Sequence, residues 1–247
     1  MAGKGVLIVV PARGGSKGLP RKNAMDLGNI PLLGWTAQAV RDSGLDEALC
    51  VLSTDDDEIA DIGRRIGLGV PFERPPELAT DVASAEAVAL HALDWARENV
   101  PVEIDSVMWL QPTSPFRPPG VIAEAVKLRE KRPNVASVIG VKAIHRTART
   151  LFHADSEGVL TPLDGRVNTP NLRQAHAPLY TPNGAVYLAS AAALREGRGF
   201  FADPCAGLVM DQVASLDIDD ELDMKMAEAV AHAGHTWRGR ISTSALV

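Results

Sequence analysis

Val6-Leu-Ile-Val-Val-Pro-Ala-Arg-Gly-Gly-Ser-Lys-Gly-Leu-Pro-Arg-Lys-Asn23 joins an unbroken apolar run to a loop of unusual charge. The first five residues read as a buried strand. The thirteen residues from Pro11 to Asn23 then hold three glycines and four cations, Arg13, Lys17, Arg21 and Lys22. Glycines such as Gly14 let the backbone approach a ligand and aim N–H groups at it. Cations at the end of a buried strand suit a polyphosphate, with Arg13, Lys17 and Lys22 as its holders. The plain alternative is a basic surface loop that needs glycine only for its turns. Two familiar phosphate motifs are excluded, because the loop has neither the Gly-x-Gly-x-x-Gly register of a dinucleotide site nor the Gly-Lys-Ser/Thr of a P-loop.

Working outward, strand and helix patterns alternate. Pro31 opens a helix that Gly44 closes, and Ala48 to Leu52 reads as a second strand. Asp57 to Ile66 is a short helix, and Asp81 is a candidate N-cap for a long one carrying Val82, Ala85, Val88, Ala89 and Leu93 on one face. Val107 to Leu110 and Val135 to Val141 are further strands, separated by a helix that Pro118 and Pro119 start. Repeated units of this kind predict an α/β fold, a mostly parallel sheet with helices on both faces. Ligands of such sheets gather at the carboxyl ends of the strands, where the basic loop and Gln111-Pro-Thr-Ser-Pro115 both fall. The rhythm breaks from about residue 143 to 182, which reads as an inserted arm, either a lid or an oligomerisation element, within a single domain spanning residues 1–247. Regularity returns with a strand from Gly184 to Leu188.

Composition narrows the function classes. The chain has 247 residues, 46% of them hydrophobic, which allows a sizeable core. Its net charge of −6 gives no global basic field for nucleic acid, so the basic loop stands out against an acidic background. Cys50 and Cys205 do not make a disulfide framework and read as buried free thiols of an intracellular chain. The apolar start is too short for a signal-peptide core, and no run approaches membrane-spanning length, so a cytoplasmic location is expected.

A second charged constellation is Asp217-Ile-Asp219, followed by Asp220, Glu221 and Asp223. If Ser215 and Leu216 end a strand, alternation places Asp217 and Asp219 on one side. Two converging carboxylates offer hard oxygens to Mg²⁺. Equally, acids here could cap the next helix, with Asp219 as its N-cap. A phosphate-type loop in the same chain favours metal, since nucleoside triphosphates arrive with Mg²⁺.

Six segments in order carry a resemblance: Ala12 to Asn23, Ser53-Thr-Asp55, Arg74-Pro-Pro-Glu-Leu-Ala79, Leu110-Gln-Pro-Thr-Ser-Pro-Phe-Arg117, Pro182-Asn-Gly-Ala185 and Asp217 to Asp223. Together they resemble the acylneuraminate cytidylyltransferases, the CMP-sialic acid synthetases, from about residue 6 to about residue 230. The resemblance implies the nucleotide-diphospho-sugar transferase fold and a transfer in which the anomeric hydroxyl of a nonulosonic acid attacks the α-phosphate of CTP. By the same resemblance, Arg13, Lys17 and Lys22 hold the triphosphate, with Lys22 nearest the α-phosphate and Gly14 beside it. Asn23, Arg74, Ala83 and Ser84 meet the cytidine, although Ala85 stands where family members often have a second hydroxyl. Asp217 and Asp219 bind Mg²⁺. Gln111, Arg173 and Asn183 face the sugar, Arg173 through the sugar carboxylate, and the pair Phe200-Phe201 reaches the sugar pocket of the partner subunit, its plain alternative being hydrophobic core. The arm exchanges between the subunits of a homodimer. The sugar is of sialic-acid type, or alternatively legionaminic, pseudaminic or another 2-keto-3-deoxy acid. The first loop differs from that usual in 3-deoxy-manno-octulosonate cytidylyltransferases. A non-catalytic nucleotide-binding regulator is the reading from another class.

Overall fold

The computed structural model describes residues 5–15, 18–144, 151–163, 178–234 and 244–246. Lys17, Arg173 and half of the arm lie outside the described residues.

The central sheet has seven strands. In chain order they are β1 (Gly5–Pro11), β4 (Leu49–Ser53), β5 (Ile104–Trp109), β6 (Ser137–Ile144), β9 (Leu179–Ser190), β10 (Cys205–Val209) and β11 (Ser244–Leu246); two-stranded pairs are β2 (Asp26–Leu27) with β3 (Ile30–Pro31), and β7 (Phe152–Ala154) with β8 (Leu160–Pro162). The sheet order is β11-β10-β6-β9-β5-β1-β4. β4, β1 and β5 pair in parallel, and so do β6 and β10. Between those two blocks runs β9, antiparallel to both β5 and β6.

Helices cover both faces, as the alternating pattern predicts. Leu33 and Ala37 of α1 (Leu32–Arg41), Ile59 and Ile62 of α2 (Asp57–Arg65), and Val121, Ile122 and Ala125 of α4 (Pro119–Lys131) pack against Ile8, Val10, Leu52 and Met108. On the other face, Val88, Ala92 and Ala96 of α3 (Ala85–Asn99) and Leu194 of α5 (Ala191–Arg195) meet Leu7, Val9, Val107 and Trp109. Successive residues of β1 thus serve opposite layers, which is why its run is apolar throughout. A smaller third cluster joins Leu19 of the basic loop, Leu32, Phe116, Ile218, and Met224 and Ala227 of α6 (Glu221–His232).

The structure corrects several boundaries. Ser84, not Asp81, caps α3, its hydroxyl accepting from the Ala87 N–H at 3.1 Å. Asp220, not Asp219, caps α6 in a reciprocal box with Asp223. The strand expected from Gly184 begins five residues earlier, and its leading end pairs with the end of β6 through Thr181, Tyr180 and Leu179. Within the arm, β7 and β8 form a hairpin. Both cysteines are free, but Cys205 is exposed at the start of β10.

Candidate active site

The parallel strands β4, β1 and β5 end at one edge of the sheet, and each delivers a functional segment there. β1 leads into the basic loop, β4 into Thr54-Asp55-Asp56 and β5 into Gln111-Pro-Thr-Ser114. Because β9 runs the other way, it brings Asn183 and Gly184 to the same edge. At this edge lies a cleft of about 590 Å³ lined by Arg13, Gly18, Lys22, Asn23, Arg74 and Ala83, among others. That volume falls in the usual range for small-molecule sites.

The first cleft is tightly pinned. The Asn23 amide donates to the Arg13 carbonyl at 3.3 Å, closing the two ends of the basic loop on each other. The Gly14 N–H donates to Asp55 at 3.0 Å. Arg74 is buried, with Nε 3.0 Å from the Ser53 hydroxyl and Nη2 on the Ser53 carbonyl, and burial lowers its guanidinium to about 10. Arg13 pairs with Asp81 at 2.6 Å across the cleft mouth. Arg21 is instead held by Asp56 and Glu58 through a left-handed backbone at φ 57°. At Gly18 a Cβ would run into the Asp219 carbonyl, so glycine is what lets the loop close on the acidic segment.

That acidic segment lies outside any strand, yet its alternation holds. Ile218 is fully buried, while Asp217 and Asp219 both line the cleft. The Ile218 N–H donates to the Thr113 carbonyl at 2.9 Å, and its side chain packs with Leu19. Lys22 reaches across, its ammonium 2.9 Å from the Ile218 carbonyl and 3.4 Å from Asp219 Oδ1. Apolar Leu19 and Ile218 therefore bring opposite charges together. Full burial of a side chain like Ile218 contributes about 1.5–3 kcal/mol.

Since Asp220 and Asp223 perform the capping, Asp217 and Asp219 are free of it. Burial raises the Asp217 carboxyl above its ordinary value, reinforced by the Asp219 charge and opposed by a hydrogen bond from Thr113 and by Lys22 and Arg117. Its Oδ1 is buried without a hydrogen-bond partner. An orphaned carboxylate oxygen beside a second carboxylate fits Mg²⁺, which usually takes one or two protein carboxylates and fills its other positions with water and phosphate oxygens. No group of three or more His, Cys, Asp or Glu among the described residues is placed to hold a metal.

A second cleft, about 1080 Å³, opens on the other side of this pair and shares Gln111, Asp217 and Asp219 with the first. Lys142, Tyr187, Met210 and Met226 also line it. Lys142 is the one lysine or arginine among its described lining residues, and sequence reasoning missed it because a single lysine in a strand carries no signal. Asn183 borders this cleft, but its amide donates to Ser215 at 2.9 Å and its oxygen accepts from the Ala185 N–H, so it braces the wall. Phe200 does not join the site: it is buried in the core against Trp109 and Tyr187. Its neighbour Phe201 is exposed, borders neither cleft, and meets Tyr187 edge-on at 5.6 Å. Arg117 was also missed, although it lies in a quoted motif. Wholly buried, it donates to the carbonyls of Gln111 and Ala185.

Comparison with known proteins agrees with this geometry. A family model described as Cytidylyltransferase matches residues 7–185. The chain is 34% identical over 230 residues to a CMP-N,N'-diacetyllegionaminic acid synthase of Legionella pneumophila, covering 90% of this chain and 94% of that one. It is 33% identical to an N-acylneuraminate cytidylyltransferase of Escherichia coli, covering 90% of this chain but 51% of that one. A solved CMP:2-keto-3-deoxy-manno-octonic acid synthetase in complex with CTP shares the fold, with a TM-score of 0.65 at 15% identity over 94% of this chain and 100% of that one. With the basic loop, the carboxylate pair and the Gln111 segment converging where the parallel strands end, this chain belongs to the cytidylyltransferase family.

Proposed function

We propose that the protein joins CTP to a nonulosonic acid, giving a CMP-sugar and pyrophosphate. One observation carries the reading: two clefts of different lining meet at Gln111, Asp217 and Asp219. The first has the cations and close backbone a triphosphate needs, and the second has room for a sugar, with Lys142 as the one cation among its described lining residues, beside Asp211, Asp217, Asp219 and Asp223. The two relatives act, by name, on legionaminic and N-acylneuraminic acids, which are both nonulosonic acids, so the sugar class has support from each.

In the reaction, the sugar's anomeric oxygen forms a bond to the α-phosphorus, and the bond from that phosphorus to the bridging oxygen breaks. Pyrophosphate leaves with the electron pair, and the hydroxyl proton passes to solvent or a nearby base. Arg13, Lys17 and Lys22 bind the triphosphate, with Gly14 approaching through its backbone. Lys22, already poised over the acidic pair, neutralises charge as it develops on the α-phosphate. Asn23, Arg74, Ala83 and Ser84 surround the cytidine. Asp217 and Asp219 would hold Mg²⁺, which when bound would supply Lewis-acid polarisation of the α-phosphate. Lys142 meets the sugar carboxylate together with Arg173, and Gln111 orients the sugar between the clefts. The chain's own part is thus positioning and charge neutralisation rather than covalent catalysis.

The protein works as a cytoplasmic homodimer in this reading. No described helix is long and apolar enough to cross a membrane. The arm hairpin exposes Phe152, Val159, Leu160 and Leu163, an apolar surface suited to a second copy. A panel of nonulosonic acids supplied with CTP and Mg²⁺ tests the function. Pyrophosphate release with at least one acid, abolished by EDTA, is the expected outcome, and CTP binding without release from any acid would refute it. Light scattering at assay concentration tests the dimer, which an active monomer would refute.

A further inference from the structure

Arg117 is among the largest fully buried side chains of the chain. Nε donates to the Ala185 carbonyl, Nη1 to the Thr36 hydroxyl at 3.3 Å and Nη2 to the Gln111 carbonyl at 2.6 Å. None of these acceptors is a carboxylate. Burial lowers the guanidinium to about 9, opposed by the charge of Asp217. Enclosing a charge this way costs several kcal/mol, and an apolar side chain of similar volume is often as stable or more so. Stability alone is therefore a poor explanation for an arginine here.

What the guanidinium holds explains it better. Its three bonds tie α1, the segment after β5 and the start of the buried part of β9. Gln111 borders both clefts. Gly184 stands beside it at φ +79°, and a Cβ there would lie 2.8 Å from Gln111 Oε1, 3.1 Å from Asp217 Oδ2 and 3.2 Å from Ser114 Oγ. Three side-chain oxygens thus crowd over one glycine. Ser114 Oγ and Asp217 Oδ1 are buried without a hydrogen-bond partner, so the group is not closed on itself. The spacing between Gln111 and Gly184 of β9 is set by one planar fork that grips Gln111 on one side and Ala185 on the other.

We infer that Arg117 is a positioning residue for the second substrate: it holds Gln111 against Gly184, and so sets the place where the sugar meets the carboxylate pair. This rests on the function proposed above. Arg13, Gly18, Lys22, Asn23, Arg74 and Ala83 of the nucleotide cleft receive no hydrogen bond from Arg117, and Gln111 is its one direct partner there, so CTP binding should change less than the sugar side does.

Arg117→Met and Arg117→Lys test this by separating substrates. Arg117→Met should fold, with a thermal midpoint at or above that of the parent. Its CTP affinity by calorimetry without sugar should stay within about twofold, while kcat/KM for the sugar falls on the order of a hundredfold, the scale of a ~1 Å misplacement. Arg117→Lys keeps the charge but loses the fork, so it should show the same split more weakly. Sugar kinetics within about twofold of the parent in Arg117→Met, or CTP affinity falling in parallel with sugar kinetics, would overturn the inference. If only Arg117→Lys folds, the same split decides, and parental sugar kinetics in it would overturn the inference. Failure of both variants to fold would make Arg117 a folding residue and overturn it too. A parent protein that releases no pyrophosphate with any nonulosonic acid marks instead the failure of the proposed function, and the inference falls with it.

Discussion

The cleft beside the basic loop draws on stretches that each declare their chemistry within a few consecutive residues, whereas the cleft behind Gln111 gathers Lys142, Tyr187, Met210 and Met226 from four separate parts of the chain. Parallel strands that end together put contiguous motifs side by side. The reversed strand β9 and the segments around it contribute single residues instead. The first cleft can therefore be read from motifs, while a cleft built like the second emerges only once the chain is folded. Where the two meet, they share Asp217 and Asp219, so substitutions can tell the shared element from the private ones.

The largest effect should come from the shared element. Asp219→Asn is expected to lower turnover by roughly a thousandfold, the upper end of what one preorganised electrostatic group supplies, while its circular dichroism stays that of the parent. Full turnover in that variant would remove the carboxylate pair from the mechanism. Lys22→Ala should follow, with kcat down by about a hundredfold and CTP affinity changed less, because charge on the α-phosphate counts most in the transition state. Steady-state rates beside calorimetric Kd values for CTP decide this.

The private residue Lys142 sharpens the contrast. Lys142→Ala should raise the sugar KM by roughly tenfold, the worth of one hydrogen bond to a charged group, and leave the CTP KM alone. Equal changes in both would show that the clefts are not separate. The smallest effect concerns stability. Asp217 takes a proton more readily folded than unfolded, because burial raises it above 3.8. The ligand-free fold therefore loses stability as pH rises from that value through the raised folded value. Asp217→Asn should be more stable than the parent at neutral pH and should lose that part of the dependence, as melts across a pH series would record. A parent and variant with parallel profiles would contradict it.

The legible parts of this molecule are those where local pattern and global role coincide. Val6 to Val10 announced a strand buried on both faces, and the glycines and cations after it announced the loop that lines the first cleft, because both properties belong to adjacent residues. Asp217 and Asp219 were legible as a pair but not as free carboxylates. Only the box formed by Asp220 and Asp223 shows that capping is done by others. Asp81 looked like a helix cap by type, yet it faces Arg13 across the cleft, a contact 68 positions apart that no local pattern encodes. Phe200-Phe201 looked like one aromatic unit, but although both rings meet Tyr187, one is core while the other is surface. Arg117 stood in plain sight within a motif. A lone arginine after proline and phenylalanine reads as surface charge until folding encloses it.

The most direct test of the central claim, that the two clefts hold two substrates for one transfer at a shared carboxylate pair, is ³¹P nuclear magnetic resonance of CTP, Mg²⁺ and the best acid of the panel incubated with the protein. The account predicts one new CMP phosphodiester signal for each pyrophosphate released. Pyrophosphate accompanied by free CMP alone, or CTP left intact with every acid, would contradict it.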